Sequence, residues 1–241
     1  MSSALSIRNI LFPTSCLFCH TVMTGHENSC CSDCLKNIQT FSPYCCERCG
    51  IVMPSRLQLN LCGACLQNSP VQETTHSLYI YHGAVRNAVL AWKLQGQDAA
   101  ILWLLSVASK RLRELIHPDD LLLPVPMPLS RMRKQGQHHA ADLCRHIAQH
   151  AGCSWDWRVL RRNGEQARQS ALSGAQRKKN LRKAFSVDTD YWQQQDELAG
   201  RIWVIDDIIT TGMTLHFASK ALRSTGKKIH ALSLTRTVKG G

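Results

Sequence analysis

The sequence predicts an α/β fold: a mostly parallel sheet with helices on both faces, preceded by a small cysteine-rich unit. Three observations carry this. Ten of the twelve cysteines fall between Cys16 and Cys65. Beyond them, strand-like runs alternate with helical patterns, and the strand-like runs are apolar at every position, as in strands buried on both faces. The hydrophobic fraction, 44% of 241 residues, is ample for a covered sheet. The composition changes after Cys65, so the division expected is residues 1–70 for the cysteine-rich domain and 71–241 for the α/β domain.

The cysteines form four Cys-x-x-Cys pairs in succession: Cys16/Cys19, Cys31/Cys34, Cys46/Cys49 and Cys62/Cys65, with eleven, eleven and twelve residues between pairs. Two intervening residues let both sulfurs of a pair face one point, and a tetrahedral ion needs two such pairs. Eight thiolates therefore predict two structural zinc ions, each held by four cysteines. Sequential pairing (16/19/31/34, then 46/49/62/65) is the simplest, and interleaved pairing is also compatible with the spacing. A disulfide framework is the alternative. The first residues lack the unbroken apolar core of a secretory signal, which favours a reducing compartment and metal. Cys30 and Cys45, each beside a ligand, read as packed thiols, and His20 and His26 as exposed loop residues. Cys144 and Cys153 stand apart. A segment this short and this poor in large apolar residues is not expected to fold without its metal.

Residues 67–75 (QNSPVQETT) read as a linker. A strand is expected over 77–81, and a helix over 84–94 with Val85, Ala88, Val89 and Trp92 on its apolar face. One long helix is expected over 98–115, then an apolar strand over 121–125 that Pro124, Pro126 and Pro128 turn into a rigid loop. Further helices are expected over 138–151, over 173–183 (strongly basic, with Ser173 as N-cap) and over 214–224 before Gly226. Strands are expected over 158–160, 201–205 and 229–235.

The most informative segment is residues 201–215, RIWVIDDIITTGMTL. An apolar strand delivers Asp206 and Asp207 at its C-terminal end, a hydroxyl- and glycine-bearing turn follows, and a helix opens near Thr214. Ligands of such sheets bind beyond the C-terminal strand ends, where a helix N-terminus directs free N–H groups at them. Gly212 permits close backbone approach, and Thr210, Thr211 and Thr214 add hydroxyl donors. Two acids just ahead of a phosphate cradle are costly unless something uses them. A sugar with vicinal hydroxyls would do so, with Mg²⁺ sharing the site.

Four apolar residues, two acids, two variable residues and then Thr-Thr-Gly-x-Thr resemble the phosphoribosyl pyrophosphate (PRPP) motif of type I phosphoribosyltransferases. The resemblance implies Asp206 and Asp207 on the ribose hydroxyls. It implies Ile208, Ile209, Thr210, Thr211, Gly212, Met213 and Thr214 around the 5′-phosphate. The cysteine-rich front, Lys93, the Pro-Val-Pro segment with Arg131, and Gln169-x-x-Leu172 through Arg177-x-x-Asn180 to Phe185 resemble the ComF/GntX-type branch, linked to competence and DNA utilisation. One departure stands out. Where those proteins usually read Arg-Gly-Phe-Asn-Gln-Ala, this chain has Gln135-Gly136-Gln137-His138-His139-Ala140. If that segment contacts pyrophosphate or the acceptor, its chemistry here is either altered or carried by Arg131, Arg133, Lys134 and the two histidines.

A catalytic member of such a family would be a transferase, displacing pyrophosphate from PRPP by an acceptor that the sequence does not identify. Negative charge would grow on the leaving group, and Lys93, Arg131, Arg133 and Arg177 are the basic candidates to face it. A second reading belongs to another class: a non-catalytic module that binds single-stranded DNA or a DNA-uptake partner. Residues 131–183 hold thirteen Lys/Arg against three acids, an excess suited to phosphates of either kind. The greasiest stretch, 99–108, is ten residues long, against the ~20 needed to cross a bilayer. The expectation is a soluble, cytoplasmic protein without membrane insertion.

Overall fold

The structure is a computed structural model, and it describes residues 14–23, 29–41, 44–55, 59–128, 132–133, 136–163, 184–195 and 199–238. Five parallel strands form the central sheet: β1 (Thr74–Ile80), β2 (Leu121–Pro124), β3 (Ser154–Trp155), β6 (Arg201–Ile209) and β7 (Lys228–Arg236). Their spatial order is β1-β7-β6-β2-β3. A separate antiparallel pair joins β4 (Leu160–Arg162) to β5 (Phe185–Val187). The mostly parallel sheet with helices, behind a cysteine-rich front, is the architecture the strand pattern predicts.

Strand β6 shows why its residues are apolar throughout. Trp203 and Ile205 point into one core, with Tyr79, Leu104, Leu143 and Ile147. Ile202 and Val204 point into the other, with Leu160, Phe185, Leu215 and Phe217. Side chains alternate across a strand, so a sheet covered on both faces leaves no position for a polar residue. The first core is roofed by α3 (Gly83–Gln95), α4 (Ala99–Val107), α5 (Ser109–Leu115) and α6 (His139–Ala151). The second is covered by α8 (Met213–Ala221) and the 3₁₀ turn Leu222–Thr225, with the short α7 (Thr189–Gln193) contributing Trp192.

Three expectations are corrected. The single helix over 98–115 is two, broken at Ala108 (ψ −2°), and the bend brings Leu112 onto the same core as Leu104 and Leu105. The strand expected over 158–160 lies at Leu160–Arg162. The segment read as a linker is fastened down: Thr75 Oγ1 donates to Arg48 O (2.7 Å), and Gln72 and Thr75 are buried. The basic helix expected over 173–183 lies outside the described residues.

Asp120, 2% exposed, ties the bottom of the sheet together. Arg201 donates to both its carboxylate oxygens, and Trp203 Nε1 (2.9 Å) and the His117 N–H (2.8 Å) also donate to it. Burial pushes the carboxyl upward, but the Arg201 guanidinium and these donors hold it below the usual range. At the opposite edge the cysteine-rich unit lies along β1. The Phe41 N–H donates to Leu78 O, and the Ile80 N–H donates to Gln39 O, both at 3.0 Å.

Candidate functional site

The cysteine clusters settle the pairing. Sγ atoms of Cys16, Cys19, Cys31 and Cys34 lie within 4.8 Å of one another, and so do those of Cys46, Cys49, Cys62 and Cys65. Four sulfurs at ~2.3 Å from a tetrahedral zinc ion lie about 3.8 Å apart. Cys19–Cys31 at 3.7 Å and Cys49–Cys62 at 3.8 Å match that spacing. The Phe18 and Cys31 N–H groups both donate to Cys16 Sγ at 3.4 Å. Burial opposes ionisation there, yet these donors pull the Cys16 thiol down to about 6. Thiolates are the form zinc takes, so the donor set fits two structural zinc ions, paired sequentially.

The two halves repeat one design, which the sequence reading did not draw out. In each, the second cysteine of the first pair is followed by a residue at positive φ, His20 (60°) and Gly50 (69°). An antiparallel bridge closes each hairpin, Ser15 with Val22 and Cys45 with Val52. Each second pair opens a short helix, α1 (Ser32–Asn37) behind Cys31 and α2 (Gly63–Gln67) behind Cys62. The signal was present in the offset of 30 residues from Cys16 to Cys46. Cys30 is buried with its thiol on Cys31 O (3.5 Å), outside the sulfur cluster, and His20 is exposed. His26 lies outside the described residues.

The second site forms where β6 ends. The acids do not follow the strand but lie within it, since β6 continues to Ile209. Thr235 Oγ1 on β7 donates to Asp207 O (3.1 Å), and the Asp207 N–H donates to Asp206 Oδ1 (2.9 Å). Thr210 and Thr211 form an exposed turn, and Gly212, at φ 74° and ψ 2°, caps α8. A Cβ on Gly212 would meet only Ile209, at 4.0 Å, so the left-handed backbone rather than crowding calls for glycine here. The Thr211 hydroxyl accepts from the Met213 N–H at 3.4 Å.

Lys93, in the last turn of α3, places Nζ 2.6 Å from Asp207 Oδ2. His139 is buried beside this pair, edge-on to Trp92 with ring centroids 4.6 Å apart. Its Nδ1 has no hydrogen-bond partner among the described residues. Burial lowers its affinity for a proton, and the Asp207 charge partly restores it. His138 Nε2 accepts from the Met127 N–H (3.2 Å), linking the loop after β2 to the start of α6. Burial, with the Asp207 charge adding to it, pushes the Asp206 carboxyl up to about 7. Among the described residues no third Asp, Glu, His or Cys joins the two acids in a metal-binding cluster.

Of the basic candidates, Lys93 is on the acid pair, Arg133 is exposed, and Arg131 and Arg177 lie outside the described residues. Two neighbours escaped the sequence reading. The turn Tyr81–His82 leads into α3 through Gly83 (φ 51°) at the same end of the sheet. Arg236 closes β7 and is buried. Neither carries a motif; both are placed by the register of β1, β7 and β6.

A double zinc ribbon domain model matches residues 7–66. Competence protein F of Haemophilus influenzae is 28% identical over 232 residues, covering 93% of this chain and 98% of that protein. DNA utilization protein YhgH of Escherichia coli K12 is 27% identical over 233 residues, covering 94% and 98%. Competence protein ComFC of Bacillus subtilis is 24% identical over 216 residues, covering 85% and 82%. No helix among the described residues is long and apolar enough to cross a membrane. The chain thus carries a double zinc ribbon at its front and, along most of its length, is similar to competence protein F, DNA utilization protein YhgH and competence protein ComFC.

Proposed function

We propose that this protein binds PRPP at the C-terminal end of β6 and acts in DNA uptake or utilisation. The observation that carries the reading is the succession of Asp206, Asp207, the Thr210–Thr211 turn and left-handed Gly212 directly before the N-terminus of α8. In this reading the two carboxylates accept the ribose hydroxyls. The backbone and hydroxyls from Ile208 to Thr214 surround the 5′-phosphate, where the helix end favours negative charge. The names of the relatives support a role connected with DNA.

The Lys93 contact adds a step. Asp207 is already engaged, so entry of the ribose exchanges the ammonium for hydroxyl donors and frees Lys93 to face the diphosphate. Mg²⁺ would arrive with that diphosphate and neutralise part of its charge. If turnover occurs, the chain's part is to align an acceptor with the anomeric carbon and to set basic groups against the departing pyrophosphate.

Calorimetric titration with PRPP and Mg²⁺ tests the reading. Wild type is expected to bind, and the double substitution Asp206→Asn, Asp207→Asn to lose binding at unchanged fold, because each amide replaces one carboxylate acceptor oxygen with an NH2 donor and removes the charge that favours Mg²⁺. Equal affinity in both would sink the reading.

The excess of ten positive charges in residues 131–183 favours a second activity, weak binding of single-stranded DNA. Contacts to phosphates release counterions, so affinity falls steeply with salt. Fluorescence anisotropy at two salt concentrations should show this, with a shallower dependence after neutralising Arg177, Lys178, Lys179, Arg182 and Lys183. No binding at low salt would remove the second activity and leave the first untouched.

A further inference from the structure

Arg236 is a buried cation without an anionic partner among the described residues. It is 5% exposed, and its guanidinium NH1 donates to the backbone carbonyl of Cys49 at 2.7 Å. No carboxylate of the described residues pairs with it. A buried guanidinium whose partner is a neutral carbonyl bears a desolvation cost that one such hydrogen bond does not offset. The backbone leaves room for this residue deliberately: a Cβ on Gly50 would stand 3.2 Å from NH1, and Gly50 is at φ 69°.

The guanidinium lies against Cys49 and Gly50, that is, against the first cysteine pair of the second four-cysteine cluster. Four thiolates around one divalent ion leave a net charge of about −2 on the cluster. The first ribbon is seated differently. Cys16 and Phe18 pack into the apolar core, with Phe18 edge-on to Trp103 at 5.5 Å. The first ribbon is seated by packing, and the second by hydrogen bonds, from Thr75 to the carbonyls of Glu47 (2.8 Å) and Arg48 (2.7 Å) and from Arg236 to that of Cys49.

We infer that the zinc-loaded second ribbon is the counter-ion of Arg236, and that this pair fastens the ribbon to the end of the sheet that carries Asp206 to Gly212. The path is short. Arg236 is in register with Ile80 of β1 and Ile209 of β6. Its carbonyl accepts from the Tyr81 N–H (2.8 Å), and the next residue, Thr237, donates its N–H to Ile209 O (3.0 Å). Arg236 is a positioning residue here, acting on the metal through the charge and the Cys49 backbone.

Zinc release from full-length protein, followed with a chromogenic chelator, provides the test. Wild type should release two ions per chain. In Arg236→Gln one of the two should bind about tenfold to a hundredfold more weakly, as outer-shell losses do. The other should keep its affinity, and Arg236→Lys should restore most of the loss. A Cys46→Ser, Cys65→Ser variant identifies which ion remains. Unchanged affinity at both sites, or equal weakening at both, would overturn the inference. Should Arg236→Gln fail to fold, hydrogen exchange on wild type stripped of one equivalent of zinc decides. Loss of protection at Tyr81 and Thr237 supports the pair, and retained protection there refutes it.

Discussion

The Lys93 ammonium on α3 lies 2.6 Å from the Asp207 carboxylate on β6, and both side chains are partly shielded from solvent. Helix and strand are thus joined by charge at the point where the candidate ligand site begins. Removing the ammonium leaves two acids facing each other with less compensation. Lys93 is one of the groups that lowers the Asp206 pKa, against burial and Asp207, which raise it. Lys93→Met is therefore expected to move the Asp206 titration further above 7. Carbon-detected NMR of the carboxyl groups would read it, and a midpoint unchanged or lowered would contradict the coupling.

Asp206 itself predicts an unusual pH dependence of stability. Its folded pKa, about 7, lies above the ordinary 3.8, so its neutral form is the favoured one in the fold. The contribution is fully present below about 4 and is lost as pH rises through about 7. Asp206→Asn keeps the shape without the charge. At pH 8 it should raise the melting temperature of the ligand-free protein by about 3 °C or more, with the gain vanishing near pH 4. A gain independent of pH would mean that ionisation is not its source.

Asp120 runs the other way. Its carboxyl is held low by Arg201, Trp203 and the His117 N–H in spite of burial. Its contribution is present above the ordinary pKa and is lost as pH falls through the depressed one. Asp120→Asn should cost about 3 kcal/mol at neutral pH, by leaving Arg201 without its charged partner, and less as the solution is acidified. Urea unfolding at pH 7 and again at about pH 2, below the ordinary carboxylate range, would show the difference.

Elemental analysis should find about two zinc ions per chain, falling by one when either cluster loses a cysteine pair. Cys144 and Cys153 lie outside both clusters, the first fully buried. Changing either to Ala should leave the zinc count at two. Cys144→Ala should still lower stability by about 1 kcal/mol, through lost packing.

Much of this arrangement was legible in the chain because it rests on local patterns. The apolar run ahead of Asp206 and the Cys-x-x-Cys rhythm are readable since a strand alternates and a metal has fixed geometry. The features that escaped are products of register. Arg236 reaches Cys49 across 187 positions of sequence, and Lys93 finds Asp207 only because α3 packs over the sheet. The break at Ala108 was hidden for another reason. Residues 99–115 are helical in composition throughout, and only the need to bring Leu112 onto the common core bends them.

The contact of residues 39–41 with β1 has a further consequence. An open strand edge displays unpaired N–H and C=O groups, a template on which another chain can grow. Here the Leu78 carbonyl and the Ile80 N–H are taken by a segment lying between the two four-cysteine sites. A chain made during zinc starvation would leave that edge bare, and its first symptom would be self-association rather than loss of any chemistry. Supply of the metal thereby acts as a check on which copies keep that edge covered.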